Sequence, residues 1–188
     1  MKYIYLPLFA LLILACQQKV KTPPSSEKKI EITDKLLGKD WEGNEILVGE
    51  VTYDQMAFYT KEWFLKEYNN YKVNQKLVTD ITPLLKGKEV ILYMGTWCED
   101  SQREVPAMMK ILKESKYDVH SIKIIAVNED KTTPDQIEKK HQLTYVPALI
   151  FFEEGKEINR IVEFPIGTLE EDIFTILNGD SYKNAYAE

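Results

Sequence analysis

Cysteine and histidine are both scarce in this chain. Its 188 residues include two cysteines, Cys16 and Cys98, and two histidines. Zinc sites need several thiolate or imidazole ligands in close spacing, so this composition argues against one. A glycine-rich phosphate-binding loop and a Gly-x-Ser-x-Gly turn are also missing, which excludes two further groups of enzymes. We therefore expect no metal and no cofactor.

Positive charge is also in short supply. The formal net charge is -6, and no cluster of lysine and arginine is interleaved with aromatic residues. Binding to the phosphates of DNA or RNA needs a basic face. Nucleic acid is therefore excluded as a partner.

The chain has no apolar stretch long enough to span a membrane, but it begins with a short one. Lys2 precedes the uncharged run Ile4–Ala15, whereas crossing a bilayer core of about 30 Å takes roughly 20 helical residues. This pattern is typical of a secretory signal segment, here residues 1–15. The run ends Ile-Leu-Ala-Cys, which resembles the bacterial lipobox, where the cysteine is acylated and becomes the new N-terminus. An ordinary signal peptide with an incidental Cys16 is the alternative.

The lipobox resemblance implies where the protein is located. A lipid on Cys16 would anchor it in the bacterial cell envelope, facing the periplasm, and Gln17 as the next residue points to the outer membrane. Disulfides usually form in such an exported compartment. With Cys16 acylated, Cys98 has no partner within the chain. It is then either buried and inert or kept for exchange with another molecule.

Composition divides the rest of the chain into three parts. Residues 16–39 are polar and predict a flexible tether. Residues 40–87 predict an N-terminal extension, built of a hairpin and helices, that packs on the core. Residues 88–182 predict an α/β domain.

The extension shows three local patterns. Trp41–Gly49 predicts a small hairpin that turns at Gly43 and Asn44. Thr52–Tyr71 predicts one amphipathic helix with Gln55 at the capping-box position. Its stripe of aromatic residues is interpreted as core rather than as a ligand surface. A shorter helix is predicted over Gln75–Lys86.

Short apolar runs alternate with helical patterns in the α/β domain. The predicted strands are Val90–Met94, Ile122–Val127, Ala148–Phe152 and Glu157–Val162. The predicted helices are Glu99–Ser115, one that opens at Thr133 with Gln136 at the capping-box position, and Leu169–Asn178, capped by Thr168 and Glu171. This order predicts a three-layer α/β fold with a central mixed β-sheet flanked by helices.

Four features of the domain lie in an order that resembles the thioredoxin superfamily. Trp97 precedes Cys98 at the start of a helix, Pro106 lies within that helix, Val146-Pro147 stands just before a strand, and Gly167 precedes the last helix. The resemblance covers about Lys88 to Asp180. It implies a thioredoxin-like fold in which Cys98 is the nucleophile. It also implies that Trp97, Val146 and Pro147 contact a substrate peptide, which pairs with the backbone beside the proline.

Two departures from the thioredoxin pattern point to a monothiol Cys-x-x-Ser variant. Ser101 occupies the position of the second cysteine, and a hydroxyl cannot displace a mixed disulfide. Leu92 occupies the position of the buried acid that assists this second cysteine. The two losses agree, because a buried acid that serves no thiol would carry an uncompensated cost. We therefore expect no dithiol reductase cycle, and a role for Ser101 limited to hydrogen bonding.

Neighbouring charges leave the reactivity of Cys98 open. The helix N-terminus favours a thiolate, whereas Glu99 and Asp100 disfavour one. Both acids are interpreted as first-turn helix residues rather than catalysts. His120 and His141 are interpreted as surface or structural histidines.

Three functions are compatible with these observations. The leading hypothesis is a membrane-tethered protein that exchanges thiols and disulfides of exported proteins through Cys98, with an external thiol as reductant. The alternative is a thioredoxin-fold module that binds peptides without redox chemistry. In the third, Cys98 is a target of oxidation that other proteins repair.

Overall fold

The structure is a computed structural model that describes residues 30–187. The predicted signal segment, Cys16 and the first part of the predicted tether lie outside the described residues. The last part of that tether contains a 3₁₀ helix, Asp34–Leu36, and the first strand.

Within residues 30–187, seven strands form two sheets. They are β1 (Leu37–Lys39), β2 (Glu45–Leu47), β3 (Gly49–Val51), β4 (Lys88–Met94), β5 (Lys123–Ala126), β6 (Ala148–Glu153) and β7 (Lys156–Val162). The small sheet pairs β1 with β2, and the central five-stranded sheet has the order β3-β5-β4-β6-β7. Only β4 and β5 are parallel; the other neighbouring pairs are antiparallel. The central sheet is therefore mixed, as predicted.

In the described part of the chain, five α-helices accompany the strands. They are α1 (Tyr53–Tyr59), α2 (Lys61–Asn70), α3 (Gln75–Leu84), α4 (Glu99–Glu114) and α5 (Leu169–Leu177). Two of the three predicted capping boxes are present, at Thr52 with Gln55 and at Thr168 with Glu171. In each, the threonine hydroxyl accepts the backbone N–H of the third helical residue, and the Gln or Glu side chain accepts the N–H of the threonine.

The two faces of the central sheet are covered differently. One face carries Leu92, Ile124 and Phe151 into a large core with buried residues of α2, α3, α4 and α5. The other face carries Tyr93 and Ile150 into a smaller core, covered by the segment between β5 and β6. The fold class predicted from the sequence, a three-layer mixed α/β fold with a mainly helical N-terminal region, is confirmed.

The prediction of an α-helix that begins at Thr133 is wrong. A 3₁₀ helix, Ile137–His141, stands in its place, preceded by Gln136 in the left-handed conformation at φ 55°. A residue with positive φ cannot continue an α-helix begun at Pro134. The Thr133 hydroxyl instead accepts the N–H of Ile137 at 3.0 Å, and Glu138 folds back to accept the Thr133 N–H.

The single helix predicted over Thr52–Tyr71 is two helices, α1 and α2. They meet at Thr60, which is buried and donates its hydroxyl to the Met56 carbonyl at 2.7 Å. A threonine bonded back to the preceding turn commonly bends a helix. The aromatic stripe interpreted as core does belong to the core: Phe64 is buried, and Tyr53 and Tyr68 pack against the same cluster.

The predicted hairpin starts four residues too late in the sequence. Its first strand is β1, and Trp41 lies in the turn, 76% exposed. The Asp40 carboxylate closes this turn by accepting the N–H groups of Glu42 and Asn44. Just beyond the hairpin, β3 pairs with β5, so the segment before Lys88 also supplies a strand to the central sheet.

Candidate active site

Cys98 is the N-cap residue of α4, at the point where the chain leaves β4. Its N–H bonds to the Gly95 carbonyl at 3.1 Å, and its own carbonyl accepts the first helical bond from Gln102 at 3.0 Å. The side chain is half-buried and makes no capping bond to the helix. The sulfur therefore lies at the positive end of a 16-residue helix without being used to close it.

The thiol faces the loop before β6. Cys98 Sγ donates to the Val146 carbonyl oxygen at 3.3 Å. Val146 is buried, and the bond between Val146 and Pro147 is cis. The structure thus brings Cys98 together with Val146 and Pro147. Val146 lies 48 residues after Cys98 in the sequence.

Trp97 forms a fixed wall on one side of the thiol. Its indole N–H donates to the Val127 carbonyl at 2.8 Å, and Lys131 Nζ lies 5.5 Å from the ring centroid. The indole lies so close to Gly95 that a Cβ there would stand 2.6 Å from Trp97 Cε2. Glycine at residue 95 is thus required for the position of the ring.

Ser101 lies behind the thiol rather than on the surface. It is fully buried, and its hydroxyl accepts the N–H of Gly95 at 3.1 Å. Thr96, also in this turn, accepts the N–H of Leu47 with its hydroxyl at 3.2 Å, and its carbonyl accepts the Gln102 amide at 2.9 Å. Hydrogen bonds from three sides thus hold the turn between β4 and α4.

The first turn of α4 carries compensated charge. Glu99 is exposed, but Asp100 pairs with Arg103 at 2.5 Å, and Arg103 also pairs with Glu104 at 2.7 Å. Hydrogen bonding to Glu104, with a further contribution from Asp100, raises the pKa of Arg103. The sequence interpretation missed Arg103, although its spacing from Asp100 is the usual one for a helical ion pair. Because Arg103 pairs with Asp100 and Glu104, Glu99 remains the exposed acid next to Cys98 that no cation among residues 30–187 neutralises.

The position of the thioredoxin acid is apolar here. Leu92 is fully buried, paired with Ile124 and Leu149 on the neighbouring strands. The structure does contain a buried carboxylate, Glu138, which the sequence interpretation missed; it lies in the 3₁₀ helix and accepts from the Thr133 hydroxyl at 2.8 Å.

Both histidines make contacts on other elements. His141 Nδ1 lies 2.7 Å from the Tyr93 hydroxyl, and burial, followed by the positive charge of Arg160, lowers the pKa of His141. His120 is exposed beside Asp54, at 3.8 Å. Within residues 30–187, no group of three or more His, Cys, Asp or Glu side chains could hold a metal ion. In the same part of the chain, no helix is both long and apolar enough to cross a membrane.

Three aromatic residues form a second wall, which the sequence interpretation missed. Tyr145, Phe164 and Tyr186, named here the aromatic cluster, come from three separate segments of the chain. The Tyr145 and Tyr186 rings stack at 4.0 Å, and Phe164 meets Tyr186 at 6.5 Å. Tyr145 directly precedes Val146, so this wall adjoins the loop that contacts the thiol. No periodic pattern in the sequence could have connected these residues.

With the geometry established, comparison with known proteins identifies the family. A family model described as thioredoxin matches residues 49–173. The chain belongs to the thioredoxin family. A search of curated proteins finds no match.

Solved structures are similar to parts of this chain. A protein of unknown function from Pseudomonas aeruginosa is 13% identical, with a TM-score of 0.54 over 70% of this chain and 93% of that one. Mitochondrial thioredoxin 3 from Saccharomyces cerevisiae is 24% identical, with a TM-score of 0.31 over 45% of this chain and 76% of its own. Thioredoxin O2 from Arabidopsis thaliana is 18% identical, with a TM-score of 0.35 over 50% and 80%. Membership of the thioredoxin family supports a redox role in general.

Proposed function

We propose that this chain is a membrane-tethered monothiol protein that exchanges thiols and disulfides of exported proteins through Cys98. The observation that carries the proposal is the location of the thiol. Cys98 is half-buried at the N-terminus of α4 and contacts the Val146 carbonyl beside cis-Pro147. It is also the one cysteine among residues 30–187.

The exchange balances without a second thiol in the site. The Cys98 thiolate attacks one sulfur of a substrate disulfide, forms a mixed disulfide, and releases the other substrate sulfur as a thiolate that takes up a proton. A second thiolate then attacks the mixed disulfide and frees Cys98. If that thiol belongs to the substrate, the net result is isomerisation. With an external reductant two thiols are needed: the first attacks the Cys98 sulfur and releases the substrate as a thiol, and the second attacks the resulting mixed disulfide, which frees Cys98 and joins the two reductant sulfurs as a disulfide.

Each remaining residue of the site has a part in this scheme. Trp97 and Pro147 shape the surface around the sulfur, and Val146 offers backbone groups to an extended substrate. Ser101 supports the turn through its bond with the Gly95 N–H. No step is assigned to it as an acid, base or nucleophile.

Refolding of a protein with scrambled disulfides tests the exchange. Wild type should accelerate the recovery of the native disulfide pairing. With Cys98→Ser, refolding should proceed only at the spontaneous rate, because the hydroxyl forms no mixed disulfide. Ser101→Ala is the matched control and should retain most of the activity. Equal rescue by Cys98→Ser and wild type would contradict the proposal.

The second candidate is a peptide-binding module without redox chemistry. The Cys98 thiol donates a hydrogen bond to the Val146 carbonyl, and exposed Glu99 places a negative charge next to it. This candidate predicts that partners are captured equally well by wild type and Cys98→Ser, with or without reductant. Loss of capture on adding reductant would exclude it.

The membrane anchor is proposed from the sequence around Cys16. Cells grown with radiolabelled palmitate should incorporate the label into wild type and Cys98→Ser but not into Cys16→Ser. The Cys16→Ser chain should also leave the outer-membrane fraction, since the acyl chains supply the attachment. Retained label in Cys16→Ser would rule out this site of lipidation.

A further inference from the structure

The aromatic cluster brings the C-terminal segment 182–187, named here the tail, to the edge of the Cys98 site. Tyr186 stacks on Tyr145 with the rings 20° from parallel. Its hydroxyl donates to the carboxylate of Glu163, the residue before Phe164. A single tail residue thus joins the loop before β6 to the segment that follows β7.

The tail follows a defined path from α5 to this position. The Tyr182 hydroxyl donates to Asp172 at 2.8 Å, and its carbonyl accepts the Asn159 amide at 3.0 Å. Nearer the end of the tail, the N–H of Tyr186 bonds to the Asn184 side chain at 3.0 Å. The bonds of Tyr182 fix the start of the tail to the domain, and the bond between Tyr186 and Asn184 is internal to the tail.

The tail adds apolar surface beside the site rather than covering it. With the tail in place, Tyr145 remains 39% exposed, Phe164 41% and Tyr186 42%. A tail that served only to close the fold would leave less of these rings in contact with water. Exposed apolar surface that adjoins a reactive site is a common feature of interaction surfaces.

The surface adjoins the loop whose backbone contacts the thiol. Tyr145 precedes Val146, whose carbonyl contacts Cys98. On the opposite side, Asp100 in the first turn of α4 is near enough to contribute to the environment of the Tyr186 hydroxyl. The hydrogen bond to Glu163 is the largest cause, and together these effects raise the pKa of Tyr186 to about 12.

Two acids adjoin this surface, although Lys183 lies in the tail and Lys131 lies against the Trp97 ring. Glu163 lies beneath the Tyr186 hydroxyl, and Glu99 is exposed next to Cys98. Arg103, the cation in this turn, is occupied by Asp100 and Glu104. A partner with lysine or arginine near its apolar contact would complement these charges.

We propose that the tail forms one wall of the substrate-binding surface, with Tyr186 as a specificity-determining residue. The partner is an extended polypeptide that carries an aromatic or aliphatic residue beside its cysteine and a lysine or arginine close by. The proposal rests on the exchange function of Cys98. It adds the class of substrate that the site selects.

Two peptide disulfides and one small disulfide test this selection. The first peptide has Phe and Lys on both sides of its cysteine, the second has Ser and Glu there, and in each the cysteine is joined to 2-mercaptoethanol. Bis(2-hydroxyethyl) disulfide is the small probe. Formation of the mixed disulfide with full-length protein purified in detergent is followed by mass spectrometry, with Cys98→Ser as the blank.

The effect should be confined to the Phe-Lys peptide. Tyr186→Ala should slow its reaction about tenfold, the size of effect expected when an aromatic contact is truncated. The same variant should leave the rate with the small disulfide within about twofold, because that probe is too small to reach the cluster. Tyr186→Phe keeps the ring and should retain most of the rate. Phe58→Ala, a similarly exposed aromatic on α1 at 52%, should behave as wild type.

Other outcomes would overturn the proposal. An equal loss with all three probes would indicate a general disturbance of the site, and a faster reaction would make the tail an obstruction. Wild type that fails to react even with the small disulfide would refute the exchange function instead. In that case, the affinity for the Phe-Lys peptide, with its cysteine replaced by serine, is measured by fluorescence anisotropy. Equal affinity of wild type and Tyr186→Ala would show that the tail does not contribute to peptide binding.

Discussion

The two walls beside Cys98 are held by different kinds of interaction. Trp97 is fixed by a hydrogen bond to the Val127 carbonyl and by contact with Gly95, within a turn that is bonded from three sides. The aromatic cluster is held by a ring stack and a tyrosine–carboxylate bond between distant segments. Trp97 is therefore restricted to one position, whereas the rings of the aromatic cluster can move at a smaller cost in free energy.

This difference assigns the two walls different tasks. A wall that abuts the nucleophile must hold its position, because small displacements at a reacting centre are costly. A wall that selects among polypeptides tolerates adjustment, and exposed rings provide contact area at small entropic cost. We therefore expect changes near Gly95 to affect the fold and all substrates, and changes near Tyr186 to affect particular substrates.

The largest effect should follow from introducing a second thiol into the site, at residue 101. In Ser101→Cys, the introduced thiolate would attack the Cys98 sulfur of a mixed disulfide, form an intrachain disulfide and release the substrate as a thiol. Trapped mixed disulfides should fall at least about tenfold, and consumption of an external reductant should begin. Non-reducing gels and a coupled reductant assay measure the two changes.

Ser101→Ala is the matched control for this experiment. It also removes the hydroxyl that accepts from Gly95, but it introduces no thiol. Trapped complexes should persist in this variant. If Ser101→Cys and Ser101→Ala retain equal amounts of mixed disulfide, the residue at 101 does not face the reacting sulfur.

Gly95→Ala should break the first wall. The new Cβ would stand 2.6 Å from the indole, and overpacking of this kind costs about 1–3 kcal/mol. We expect a lower free energy of unfolding in urea, together with slower exchange for peptide and small disulfides alike. Trp97→Phe, which removes the indole N–H but relieves the clash, should partly restore stability in the double variant. A Gly95→Ala protein as stable as wild type would contradict the fixed-wall interpretation.

The second wall should contribute less to stability than the first. Tyr186→Ala removes one partly exposed ring stack, and such surface substitutions usually have small effects. Its urea unfolding midpoint should lie closer to that of wild type than the midpoint of Gly95→Ala, and Tyr186→Phe closer still. The reverse order would mean that the tail is a structural brace rather than a selective surface.

The same contrast explains how much could be predicted from the sequence. The first wall is local: Trp97, Cys98 and the start of α4 are neighbours in the chain, and a strand followed by a helix N-terminus is legible as a pattern. Even Pro147 could be connected to Cys98, through the thioredoxin resemblance. The aromatic cluster draws on residues 145, 164 and 186, which no local pattern relates.

The fold shows the same division. Central strands and two of the three capping boxes could be predicted, because short apolar runs and Thr-x-x-Gln or Thr-x-x-Glu spacings act locally. The segment after Thr133 could not, since Glu138 competes for the Thr133 N–H and Gln136 turns left-handed. Likewise, the break at Thr60 depends on a buried hydroxyl that the amphipathic pattern does not reveal.

The smallest expected effect is a pH dependence beneath the second wall. His141 starts the segment that leads to Tyr145, and its carbonyl accepts from Arg160 at 2.7 Å. Burial and Arg160 lower the pKa of His141, with Glu157 acting in the opposite direction. The unfolded chain therefore binds a proton more readily, and stability is lost as the pH falls from about 6.5 through the folded pKa.

Tyr93, which contacts His141, should limit stability at alkaline pH. Burial raises the pKa of Tyr93 to about 12, so the unfolded chain loses this proton first and stability falls as the pH rises above about 10. Urea unfolding between pH 5 and 11 should show a decline at each end. His141→Gln should flatten the acid limb and Tyr93→Phe the alkaline one, whatever each does to the overall level. Unchanged slopes would show that this pair does not respond to pH.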